Sequence, residues 1–241
     1  MSRLADIFSY SATFAAIAFA LFLLARFRDA RLSIPLGFAF ALYLGIDDLL
    51  TALGGQAGLA FVGGNWNWSG KLYSLALAIA VLLAFRIPRE AAGLVWPRRN
   101  AGSSLVATCL LIALSATLGA VFRPDAPDAE TLAFQLTMPG IVEELVYRGV
   151  APALFLGLVA GRREPGASPW PAILATAVMF SLWHGLGLRG GEFGFEWIPA
   201  AYTLVGGLAY GWLRFHSGSL LWPVIAHAGG NVIFLLVPMV I

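Results

Sequence analysis

Long apolar runs separated by short polar stretches dominate this chain. A helix needs about 20 largely apolar residues to cross a bilayer. On that ruler eight candidate spans fall near residues 8–25, 34–53, 71–87, 103–122, 131–160, 170–188, 197–213 and 219–240. The expected fold is therefore all-α, a polytopic membrane bundle of about eight transmembrane helices. The fifth span is long enough to be tilted or broken near Pro139-Gly140 or Pro152, because proline removes a backbone donor. Glycines around 54–64 and 185–194 mark flexible connections, read as loops. No internal repeat or low-complexity linker stands out.

Composition sharpens this pattern. The chain has 241 residues, 59% hydrophobic and 12% charged, with a mean hydropathy of +0.81, whereas a soluble domain carries roughly 25% charged residues. A soluble fold is excluded, and residues 1–241 read as one membrane domain, with N-terminal spans over 1–130 and a polar-bearing core over 131–241. The single Cys109 allows no intramolecular disulfide and no CxxC metal site. The first apolar run resembles a signal peptide only superficially. It starts weakly basic, with Arg3 beside Asp6, and ends in Arg26, Arg28 and Arg31, so it reads as a retained span.

A formal charge of +2 and scattered arginines give no footprint for nucleic acid. The basic residues instead sort between alternate loops: Arg26, Arg28 and Arg31; Arg86, Arg89, Arg98 and Arg99; Arg162 and Arg163; and Arg214. The positive-inside bias places those four loops in the cytoplasm. The alternate segments carry Arg3, Lys71, Arg123 and Arg189, and residues 123–130 are net acidic, so both termini are expected outside the cytoplasm. Trp66, Trp68, Trp96, Trp170, Trp197 and Trp222 sit near span ends, as in an interfacial belt.

Ionisable groups inside spans are costly and by default mark functional sites. The fifth span contains GIVEELVYRG, in which Glu144 and Arg148 are four residues apart and share a helical face. Glu143 is rotated about 100° from that face, which leaves it the freer carboxylate. A carboxylate withdrawn from water becomes a better acceptor of a proton from water, so Glu143 suits a general base. A structural ion network of the two glutamates with Arg148 is the competing reading. The sixth span supplies FSLWHG, with Phe180 and His184 on one face and Trp183 alongside; the eighth supplies HAGGN, with His227 and Asn231 on one face.

Together these spans offer a base, two imidazoles and an amide donor, a set suited to amide hydrolysis by water. His184, His227 and Glu143 also resemble a zinc set with a fourth position left for water, although no HExxH occurs. A serine triad fits poorly: there is no GxSxG, and Ser181 shares a helix with His184 without a placed carboxylate. Asp47 and Asp48 lie near the outer end of their span and read as exposed or bonded to a loop; His216 reads as interfacial.

In chain order, EELVYR, FSLWH and HAGGN resemble the EExxxR, FxxxH and HxxxN motifs of the CAAX prenyl protease and bacteriocin-processing (Abi) family of intramembrane proteases. The match includes Tyr147 before Arg148 and Gly149 after it, and it covers about residues 131–241. The resemblance implies an eight-helix bundle with a cavity opening within the membrane, and cleavage near the end of a membrane-anchored protein or peptide. It implies that Glu143 activates water, that His184 and His227 position the water or the substrate carbonyl, and that Asn231 donates to the oxyanion. Glu144 and Arg148 would brace the site, with Tyr147 and Phe180 in supporting positions. Some members trim prenylated CAAX proteins; bacterial relatives are linked to peptide maturation, bacteriocin immunity and C-terminal sorting signals. Fourteen arginines against one lysine suggest a high-GC, bacterial coding sequence, hence a bacterial cytoplasmic membrane, and a prenylated substrate is not the first choice. The partners expected are the lipid bilayer and an anchored substrate, with no nucleic acid. The competing class is a non-catalytic membrane protein that binds or transports an ion or ligand.

Overall fold

A computed structural model describes residues 3–97, 99–161 and 168–240. Arg98, Arg162 and Arg163, used above for topology, lie outside the described residues. The apolar runs form α1 (Arg3–Arg28), α2 (Ile34–Gly54), α3 (Trp68–Ala84), the short α4 (Arg89–Ala92) and α5 (Ala101–Phe122). The fifth expected span is α6 (Ala129–Met138), two π-helical stretches (Pro139–Glu143 and Leu145–Val150) and α7 (Ala151–Leu156). Then follow α8 (Trp170–Gly185), a hairpin of β1 (Leu186–Arg189) and β2 (Glu192–Phe195), α9 (Trp197–Ser217) and α10 (Leu221–Leu236).

The fold is all-α apart from that hairpin, and the protein is an integral membrane protein. Four described segments, Arg3–Arg28, Ile34–Gly54, Ala101–Phe122 and Leu221–Met239, are long and apolar enough to cross a bilayer by length and composition. The 17-residue α3 is apolar but shorter, and the fifth span is broken where proline predicted it. The connection at 185–194 is ordered rather than a flexible loop. Gly190 and Gly191 both adopt positive φ, 62° and 88°, the backbone of a tight two-residue hairpin turn. The Asp6 carboxylate accepts both their N–H groups, at 2.7 and 3.1 Å, tying the hairpin to α1.

The core lies where α1, α2, α7 and α8 meet. Phe155 of α7 packs edge-on against Phe22 of α1 and Phe40 of α2, each with ring centroids 5.2 Å apart. All three rings are fully buried. In lipid there is little hydrophobic drive between helices, so such close packing is what joins them. Elsewhere small residues allow contact: a side chain at Gly119 of α5 would collide with the Phe234 backbone of α10. Connections are clasped by polar groups. Glu130 at the start of α6 accepts N–H groups from Asn65 and Trp66 and the indole N–H of Trp68, drawing the 55–67 connection over the start of α6.

Candidate active site

The broken fifth span positions the two glutamates. Pro139 cannot donate to the preceding turn, and Gly140 lies so close to α10 that a Cβ there would crowd Ala228 and the Val224 carbonyl. The backbone widens into π turns on either side of Glu144, a distortion found often at functional sites. Glu144, Arg148 and Tyr147 are withdrawn almost completely from the surface, and Glu143 keeps 6% exposure.

Glu144 holds two partners on one oxygen. Arg148 Nη1 donates to its Oε1 at 3.0 Å, the pairing expected from helical spacing, and His227 Nδ1 donates to the same atom at 2.8 Å. The expectation that Glu143 is the freer carboxylate is corrected by α3: Lys71 Nζ donates to Glu143 Oε1 at 2.6 Å. Burial of a carboxylate demands such a partner. Sequence reasoning missed Lys71 by counting it among the outer loops; the signal available was that the chain's single lysine lies within an apolar run. Glu143 Oε2 is buried, has no hydrogen-bond partner and lies 3.8 Å from His227 Nε2.

Both imidazoles are oriented through Nδ1. His184 Nδ1 donates to the Phe180 carbonyl at 2.9 Å, and His227 Nδ1 to Glu144. In a neutral ring this fixes the tautomer and leaves Nε2 as an acceptor. Tyr210 stacks on His227 with centroids 5.3 Å apart. Phe180 contacts the rings of Tyr147 (5.1 Å), His184 (4.5 Å) and His227 (6.0 Å), and the Arg148 guanidinium lies 4.4 Å from its centroid. Asn231 donates one amide N–H to Gln135 Oε1 at 2.9 Å.

A cavity of about 490 Å³ collects these groups. Glu143, Phe180, His184, His227, Asn231 and Lys71 all line it; Glu144, Arg148 and Tyr147 stand behind that wall. Trp66, assigned above to an interfacial belt, also lines it, as does Trp183. Asp47 and Asp48 are neither exposed nor bonded to a loop. Both are 7% exposed. Asp47 accepts from Ser74 of α3 at 2.5 Å; Asp48 accepts from Ser11 of α1 at 2.5 Å and from the Trp183 indole at 3.0 Å. Ser181 donates to the Ala200 carbonyl at 2.7 Å, engaged in packing α8 on α9. His216 stacks on Trp212 at the end of α9, away from the cavity.

Among the described residues no group of three or more His, Cys, Asp or Glu side chains is arranged to hold a metal ion. Glu143, His184 and His227 come nearest, but the Lys71 ammonium bonds the carboxylate that a cation would need. As arranged, these residues do not fit the zinc set considered from sequence.

Residues 127–233 match the family model described as "Rce1-like: Type II CAAX prenyl endopeptidase Rce1-like". Comparison with curated proteins and with solved structures found no match.

Proposed function

We propose, from the match of residues 127–233 to the Rce1-like type II CAAX prenyl endopeptidase family, that the chain is an intramembrane endopeptidase that uses glutamate-activated water. The observation that carries the mechanism is the division of labour between the glutamates. Glu144 stands behind the cavity wall with Arg148 and His227 both on Oε1, whereas Glu143 lines the cavity with Oε1 anchored by Lys71 and Oε2 buried without a hydrogen-bond partner.

In this reading Lys71 fixes Glu143 through Oε1, and Oε2 is the basic atom. The attacking water gives one hydrogen to Glu143 Oε2 and the other to an imidazole Nε2 of His184 or His227, so its oxygen lone pair is free to face the substrate. Their tautomers favour positioning water over stabilising an oxyanion. Water attacks the scissile carbonyl carbon, its proton passes to Glu143, and the carbonyl oxygen becomes an oxyanion. The Asn231 amide retains a second N–H for that oxyanion. The C–N bond then breaks, and the leaving amine takes the proton from Glu143. The substrate is a membrane-anchored protein or peptide, cut near its C-terminus; the cavity walls are mostly apolar.

The test is cleavage of bilayer-anchored peptides by reconstituted protein, read by mass spectrometry, with Glu143→Gln and Glu144→Gln made separately. Loss in the Glu143 variant is expected, and full activity there sinks the mechanism. Exhaustive chelation should leave the rate unchanged. Activity lost with the chelator and restored by stoichiometric zinc would replace this scheme with a metal-dependent one.

A further inference from the structure

The bundle sorts its charges by pole. At one pole the ends of α3, α5, α9 and α10 meet: Arg214 Nη2 donates to the Glu90 and Ala91 carbonyls, Ser219 to that of Val95, and the Asn100 amide to that of His216. Ala160, beyond α7, donates its N–H to the Arg86 carbonyl there. With the α1–α2 turn, this pole holds Arg26, Arg28, Arg31, Arg86, Arg89, Arg99 and Arg214 against Asp29 and Glu90. The opposite pole is gathered by Glu130, by Asp6 on the hairpin, and by Asn67, whose amide donates to the Thr51 carbonyl. It holds Arg3, Arg123 and Arg189 against Asp6, Asp125, Asp128, Glu130, Glu192 and Glu196.

The cavity belongs to the acidic pole. The residues at helix ends that line it, including Thr51, Trp66, Asn67, Trp183 and Pro199, all sit there; none comes from the arginine pole. Leu114 of α5 and Val205 of α9 line the cavity and stay 43% and 55% exposed. The cavity wall is therefore apolar and accessible where α5 faces α9.

Basic residues near span ends are retained in the cytoplasm. We propose that the active site opens to the non-cytoplasmic side, and that its substrate is an exported protein whose membrane anchor enters between α5 and α9 and is cut in the outer half of the bilayer. The substrate class rests on the protease reading above; the orientation does not.

Three neutral cysteine substitutions in a Cys109→Ala background test the orientation. Gly63→Cys and Gly194→Cys lie at the acidic pole, where a Cβ meets nothing within 4 Å; Ala30→Cys lies exposed at the arginine pole. A membrane-impermeant maleimide applied to intact spheroplasts should label Gly63→Cys and Gly194→Cys as fully as in detergent, and Ala30→Cys only after detergent opens the membrane. Protection of the first two with labelling of the third overturns the proposal, as does labelling of all three in intact spheroplasts. Labelling needs no cleavage, so this outcome is independent of the Glu143→Gln assay that decides the protease reading.

Discussion

Two pairs of adjacent carboxylates are buried in this bundle, and their surroundings differ in kind. Asp47 and Asp48 sit in a regular α-helix and accept from hydroxyls and an indole. Glu143 and Glu144 sit among π turns, face a lysine, an arginine and a histidine, and each keeps a buried oxygen without a hydrogen-bond partner. Residue type and depth are alike; the partners distinguish them. Neutral donors satisfy an acid and join helices. Fixed cations hold a carboxylate in place while leaving an oxygen available for chemistry. Trp183 links the pairs, donating to Asp48 while its ring lies 4.4 Å from Lys71 Nζ.

The largest break in this contrast comes from Glu143→Gln. Loss of a general base should lower cleavage by about 10²–10⁴-fold, with the folded state retained by thermal unfolding in detergent. Glu144→Ala follows. Removing one member of a buried pair typically costs about 3–5 kcal/mol, and here it strands Arg148 and releases His227, so chemical denaturation should show a loss on that scale. Lys71→Met should destabilise the protein by leaving Glu143 buried and unpaired, and adding Glu143→Gln should recover part of that loss. An additive double variant would show that the two side chains are not coupled. Smallest is Asp48→Asn, whose Oδ1 can still accept from the Trp183 indole while its Nδ2 donates to the Ser11 hydroxyl. We expect a stability cost of about 1 kcal/mol and unchanged cleavage. A cleavage loss like that of Glu143→Gln would erase the distinction between the pairs.

What could be read in advance followed the range of each interaction. The Glu144–Arg148 pairing and the Phe180–His184 contact come from residues four apart, and helical geometry dictates them. Span positions followed from apolar run length, and the break in the fifth span from Pro139. The Lys71–Glu143 pair joins residues far apart in sequence, and no local pattern encodes it. Asp47 and Asp48 were misplaced for the same reason, since their partners lie on α3, α1 and α8. The hairpin escaped notice because its glycines read equally well as a loop; Asp6, on a distant helix, accepts the N–H groups of its turn.

The π stretches also bear on how this span tolerates change in length. A π turn accommodates one residue more than an α turn, so the segment from Pro139 to Val150 stores surplus chain inside a continuous helix. Deleting a single residue there would let the coil tighten to ordinary pitch, so the flanking turns would keep their faces, whereas the same deletion in an ordinary α-helix rotates one side by about 100° against the other. Gln135 upstream and Arg148 downstream would hold their facing while the glutamates between them lost the widened turn that displays them. A one-residue gap in this span is thus absorbed locally, and its effect should fall on the active site rather than on the packing of the helix ends.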